Sequence, residues 1–196
     1  MTELDDPLGV HDDSASDFAS TLDAARRGDG PAFETLYRSL NRRVVSFARA
    51  RRAPDPEGLV NDVFVRVFSN LSDFEGNEEQ FNGWVFRIAR NVLIDGARQR
   101  ARRVQEVLGS DHGEVPIEQP GPEDIAAAQI HGEELLRHLE VLTTDQRDVI
   151  LLRVVADQSL EAVAASLDKT VGSIKSMQRR ALQTLAREIS RQAVSQ

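Results

Sequence analysis

The sequence predicts an all-α protein, built as two small helical domains, an N-terminal helical bundle and a C-terminal helix-turn-helix domain, joined by a flexible acidic linker. Three observations carry this expectation. Apolar residues recur at three- and four-residue steps almost throughout, no alternating strand pattern of useful length occurs, and residues 104–123 abandon periodicity for Gly, Pro and acid. With 40% apolar and 29% charged residues, the 196-residue chain can fill cores and stay hydrated, which argues against wholesale disorder or a fibrous repeat. The absence of cysteine excludes a disulfide framework, thiolate metal sites and cysteine nucleophiles.

The elements follow in chain order. Residues 1–16 form an acidic tail expected to be disordered, and the N-terminal domain is assigned to 17–103. Gly28-Asp29-Gly30-Pro31 ends one helix and starts the next, where Phe33, Leu36, Tyr37, Leu40, Val44 and Phe47 form the apolar stripe. Ala53-Pro54-Asp55-Pro56 repeats that punctuation before a helix carrying Leu59, Val60, Val63, Phe64, Val67, Phe68 and Leu71. After a break from Asp73 to Gln80, residues Phe81 to Arg103 read as one long helix with Trp84, Val85, Ile88, Ala89, Val92 and Leu93 inward. The linker is placed at 104–123 on its three Gly and three Pro, leaving 124–196 as the second domain.

In that second domain Thr144 or Asp145 is the expected cap of an apolar helix reaching Val155. A short helix, Ser159 to Leu167, then a turn at Asp168-Lys169-Thr170, then a longer helix from Val171 to Arg191 form a helix-turn-helix pattern. Val171, Ile174, Ala181, Leu185 and Ile189 point inward. Asp168 occupies a turn position that asks for a left-handed backbone, which Asp tolerates better than most residues. The outward side of the second helix offers Thr170, Gly172, Ser173, Lys175, Ser176, Arg179 and Arg180, small polar and cationic groups suited to a major groove.

Net charge is −8, yet the charge is sorted into blocks. Residues 1–25 hold seven acids and no base; residues 38–52 hold six Arg and no acid; residues 84–103 hold six Arg against Asp95; residues 104–136 hold eight acids and no base; residues 169–191 hold six bases against Glu188. Screening limits exposed charges to about 8–10 Å at physiological salt, so a polyanion meets the blocks rather than their sum. The plainer alternative is that Arg-rich faces are hydrated helix surface.

Three segments together resemble a known family. Gly58-Leu59-Val60-Asn61-Asp62-Val63-Phe64-Val65-Arg66-Val67-Phe68 is similar to the string "DLVQETFLRAW". Phe81-Asn82-Gly83-Trp84-Val85-Phe86-Arg87-Ile88-Ala89-Arg90-Asn91 is similar to "FRAWLLTIARN", and Leu167-Asp168-Lys169-Thr170-Val171-Gly172-Ser173-Ile174-Lys175-Ser176 to "LGVPVGTVKSR". In this order and with an acidic segment before the third, they resemble the extracytoplasmic-function sigma factors, promoter-specificity subunits of bacterial RNA polymerase.

The resemblance implies three surfaces. Leu59, Asp62, Val63, Arg66 and Val67 would dock on core RNA polymerase, with Phe64 and Phe68 left to the core. Asn77, Arg87, Asn91, Arg98 and Arg102 would engage and help open the downstream promoter element. The last four lie on one stripe of the helix beside Ile88 and Val92, amide for base edges and guanidinium for phosphate. Phe74 is a further base-contact candidate in the loop, and Trp84 is read as core rather than a stacking platform. Thr170, Ser173, Lys175, Ser176, Arg179 and Arg180 would read the upstream element.

Promoter DNA, core polymerase and an anti-sigma factor are thus the expected partners, with no cofactor, metal, membrane insertion or small-molecule substrate, in the cytoplasm. The alternative is a stand-alone helix-turn-helix regulator, which leaves the first two segments idle. His11, His112, His131 and His138 show no ligand spacing, and no Gly-rich phosphate loop or nucleophile motif occurs, so an enzyme is not expected.

Overall fold

The structure, a computed structural model, describes residues 13–108 and 136–194. Four helices form the N-terminal unit: α1 (Asp13–Arg26), α2 (Gly30–Ala50), α3 (Pro56–Ser69) and α4 (Glu78–Leu108), with a 3-10 turn at Leu71–Asp73. After helical residues 136–140, the C-terminal unit contains α5 (Thr144–Val154), α6 (Leu160–Leu167) and α7 (Val171–Val194). The expected tail and linker both lose ground to helix, because α1 begins at Asp13 and α4 runs on to Leu108. The remainder of both segments lies outside the described residues.

Local chemistry explains the helix starts. Asp29 accepts from Ala32 N (2.8 Å) ahead of Pro31, and Asp55 accepts from Gly58 N (2.8 Å) ahead of Pro56. A reciprocal pair opens α4: Gln80 N donates to Asn77 Oδ1 and Asn77 N to Gln80 Oε1, each at 2.9 Å. The cap of α5 is Thr143, not Thr144 or Asp145, because the box closes with Gln146 three residues on. Ser159 caps α6 and Thr170 caps α7. Between them Asp168 takes the left-handed conformation (φ 53°, ψ 50°), and Lys169 N donates back to Ala164 O.

The N-terminal core is centred on α4, which packs against α1, α2 and α3. Phe81, Val85, Phe86 and Ala89 are buried there, and Phe47 meets Phe86 edge-on at 5.6 Å. Phe86 was absent from the inward stripe read from the sequence. A helix enclosed on several sides buries residues beyond one face, and Trp84 and Ile88, assigned inward, are only half-buried. In the C-terminal unit, Val149 and Leu152 of α5 and Val163 and Leu167 of α6 enclose Ile174, Met177 and Ala181 of α7. Ile189 departs from expectation at 52% exposed, since α7 extends past the elements it packs on.

The two units are not separate heads. α6 lies on α4, α5 touches α2, and Ser166 Oγ donates to Gly83 O at 3.1 Å in a buried contact. Asp148 of α5 is fully buried between Arg51 Nε (3.2 Å) and Arg90 Nε (3.0 Å) of the N-terminal unit.

Replacing Asp168 with Gly removes the cost of a left-handed non-glycine residue, and should stabilise the C-terminal unit by about 0.5–1 kcal/mol in denaturant titration. Asn77→Ala should cost about 1 kcal/mol by the same measurement, whereas Asn77→Ser, which keeps an acceptor, should cost only a fraction of that.

Candidate nucleic-acid interface

The second helix of the helix-turn-helix presents one continuous polar face. Ile174, Met177 and Ala181 hold its opposite side in the core, which turns Ser173, Lys175, Ser176, Arg179 and Arg180 outward, all exposed, as is the cap Thr170. Thr170 Oγ1 accepts from Ser173 N at 3.2 Å, and no acid occupies the first turn, so the positive end of the helix dipole is unopposed locally. Lys175 and Arg179, one turn apart, border a shallow groove with Gln178 and Leu182. Lys169 pairs with Asp145 at 3.1 Å and braces the turn against α5.

The second face surrounds the start of α4. Phe74 stacks on Trp84 (5.0 Å, 28° between planes) and meets Phe81 edge-on at 5.4 Å, so it is buried floor rather than a free base contact. Arg26 of α1 secures this loop by donating to the carbonyl of Phe74, with Leu71 O also within reach. Sequence reasoning passed over Arg26, since nothing in the spacing signals a partner 48 residues away. Asn77 is exposed, but its side chain is engaged in capping α4.

Arg87 and Asn91 border a cleft of about 850 Å³ together with Trp84, Ile88 and Arg66, and α6 forms its other wall. Arg98 and Arg102 continue the exposed stripe along α4 beyond the cleft. The structure therefore gathers Arg87, Asn91 and Trp84 around one hollow and leaves Arg98 and Arg102 as a cationic rail.

The third face, on α3, requires a correction. Leu59, Val63 and Val67 are buried in the bundle, Val63 and Val67 completely, so their side chains belong to the core and not to the exposed surface on which the sequence placed them. Asp62 and Arg66 do face outward, and Arg66 reaches Asp95 of α4 at 3.4 Å. Between them Val65, missed because it breaks the helical stripe, is 65% exposed. Gly58 leaves room for the Asp55 cap: a Cβ there would lie 2.1 Å from Asp55 Oδ2.

Most of the Arg block at 38–52 is consumed internally. Arg38 pairs with Glu34, Arg49 with Glu57, Arg51 with Asp148 and Arg52 with Glu140, while Arg43 lies over the Phe86 ring at 5.8 Å. Arg147 joins this interdomain cluster, donating to Leu139 O at 3.0 Å. Burial, then the neighbouring Arg51 and Arg52 guanidiniums, lower its pKa from the ordinary arginine value, with Asp148 opposing the shift. Among the described residues no group of His, Cys, Asp or Glu is placed to hold a metal ion, and no helix is long and apolar enough to cross a membrane.

Two family models match the chain: Sigma-70 region 2 over residues 36–103 and Sigma-70, region 4 over residues 132–185. The ECF RNA polymerase sigma factor SigE of Mycolicibacterium smegmatis is 30% identical over 157 residues, 79% of this chain and 60% of that protein. The RNA polymerase sigma factor CnrH of Cupriavidus metallidurans is 31% identical over 164 residues, 77% of this chain and 83% of that protein. The fold is similar to that of the sigma factor RpoE of Bartonella quintana, solved in complex with the anti-sigma factor NepR. The TM-score is 0.56 at 25% identity, over 91% of this chain and 97% of that one. With both matched regions falling on the two helical units, in order, the chain belongs to the extracytoplasmic-function sigma factors of the sigma-70 family.

Proposed function

We propose that this chain binds core RNA polymerase and directs it to promoters carrying two spaced elements, under the control of an anti-sigma factor. The observation that carries the reading is the exposed cationic face at the start of α7, Lys175, Arg179 and Arg180 around a capped helix terminus with no acid in its first turn. This face addresses the upstream element, with Ser173, Ser176 and Thr170 on the backbone. Arg87, Asn91, Arg98 and Arg102 address the downstream element: the arginines neutralise phosphate, and Asn91 offers a donor and an acceptor to a base edge beside Trp84.

Asp62, Val65 and Arg66 form the polymerase-docking face of α3. An exposed Val flanked by two charges has the make-up of an interface with a small apolar centre. Each DNA contact is weak alone, and the polymerase holds both within one assembly, so the second contact forms at high effective concentration. An anti-sigma partner is proposed because the fold is similar to a sigma factor solved in such a complex.

Run-off transcription with purified core polymerase on a promoter library tests the reading, which requires new, sequence-specific transcripts when the chain is added. Tight, specific binding of promoter fragments by the chain alone, without polymerase-dependent transcripts, favours a stand-alone regulator instead. Arg179→Ala should reduce transcription about 5- to 150-fold from promoters whose upstream base it contacts, the effect of losing roughly 1–3 kcal/mol of discrimination, and spare promoters altered at that base. Val65→Asp should leave the unfolding free energy within about 0.5 kcal/mol of wild type and weaken retention on immobilised core polymerase. Undiminished retention moves the docking face elsewhere.

A further inference from the structure

The first helix lies outside the matched family regions, which begin at residue 36, so that likeness gives α1 no role. Its packing supplies one. Phe18, Leu22, Ala25 and Arg26 share one face of α1 at helical spacing; Leu22 and Ala25 are buried, and Phe18 meets Phe81 of α4 at 5.6 Å. At the end of that face the Arg26 guanidinium crosses to the loop before α4. Its Nη2 donates to Phe74 O, its Nε to Leu71 O at 3.5 Å and its Nη1 to Asp23 Oδ1 at 3.0 Å.

Residues 71–77 have little else to anchor their backbone. Among the described residues, their other hydrogen bonds stay within four positions, such as Asp73 N to Asn70 O, Phe74 N to Leu71 O and the reciprocal pair of Asn77 and Gln80. Gly76, at φ 153°, is a pivot in the same loop and lies against the Phe74 ring, where an added Cβ would come within 3.0 Å of Phe74 Cζ. A segment with only local bonds and a glycine pivot opens easily unless something outside holds it.

Arg26 thereby sets the position of the Phe74 ring. That ring stacks on Trp84 at 5.0 Å with 28° between planes, and both side chains line the cleft beside Arg87 and Asn91. Asp73, Glu75 and Glu79 line it too and repel phosphate, so the uncharged face of an unpaired base suits this end of the cleft better than a strand backbone. A base entering a preset hollow bears no cost of ordering the loop; with the loop free, that cost is added to the unpairing of the duplex.

We propose that Arg26 is a positioning residue for promoter opening: on the sigma-factor reading above, its bond to Phe74 O presets the stack of Phe74 on Trp84 against which an unpaired base of the downstream element is held. Arg26 itself touches no DNA.

Trp84 is the chain's single tryptophan, so its fluorescence reads the stack directly. Arg26→Met keeps most of the apolar stem and deletes the donors. In the full-length chain it should raise acrylamide quenching of Trp84 at least about twofold, as the loop opens. Run-off transcription with core polymerase from duplex promoters recovered from the library should fall about tenfold. The fall should be only about twofold when mismatches leave the downstream element unpaired, because the unpairing is then already done. Retention on immobilised core polymerase should be unchanged. Arg26→Lys, which retains a cationic donor, should recover about half of the duplex transcription. Gly76→Ala presses on the Phe74 ring from within the loop and should reproduce the loss on duplex templates.

Unchanged Trp84 quenching in Arg26→Met, an equal loss on duplex and mismatched templates, or a loss of polymerase retention that parallels the loss of transcription overturns the proposal. Should Arg26→Met not fold, Gly76→Ala decides: wild-type transcription from duplex promoters by that variant overturns it as well. If the wild-type chain gives no polymerase-dependent transcripts, the sigma-factor reading fails and carries the role in opening with it, while the quenching of Trp84 still shows whether Arg26 holds the loop.

Discussion

The girdle of buried side chains around α4 organises everything else. Phe81, Val85, Phe86 and Ala89 lose nearly all contact with water to α1, α2 and α3, and the same helix carries Gly83 and Arg90 to the C-terminal unit. Burying one large apolar side chain is worth about 1.5–3 kcal/mol, so this cluster is a main source of the N-terminal unit's stability. Its rigidity also sets the functional geometry: Trp84, Arg87 and Asn91 are held at the cleft because the intervening residues are locked in the core.

Charge plays two parts that composition alone mixes together. The Arg stripe of α4 and the first turns of α7 remain exposed; in the equally basic segment 38–52 Arg38, Arg42 and Arg49 are exposed too, but most of its cations pair with Glu34, Glu57, Glu140 and Asp148 or lie over the ring of Phe86. Exposed pairs such as Arg38 with Glu34 contribute roughly 0–1 kcal/mol each. The pairs of Asp148 differ, since its carboxylate has left water entirely and its environment is wholly the protein's own making. The helix-turn-helix and the bundle therefore meet through a contact whose stability depends on counter-charges from the other unit.

Residue by residue, the sequence was legible wherever the physics is local. Asp29 with Pro31, Asp55 with Pro56 and Ser159 mark helix starts because a cap and its first-turn amides are three residues apart. The left-handed backbone at Asp168 and the outward face of Lys175, Ser176, Arg179 and Arg180 follow from turn chemistry and period. Leu59, Val63 and Val67 show the limit of that reasoning. Periodicity says that α3 has an apolar stripe, and only the packing of α2 and α4 says that the stripe is filled, leaving Val65 outside it.

Interactions among residues a few positions apart account for the all-helical class, the order of the helices, the turn of the helix-turn-helix and the family strings, and all of these are readable in one dimension. The tertiary structure decided the burial of Phe86, the tie of Arg26 to Phe74, the lodging of Asp148 between Arg51 and Arg90, and the seat of α6 on Gly83. Each of these joins residues dozens of positions apart, and such pairs are selected by the shape and counter-charge of a surface that exists only once the helices have packed.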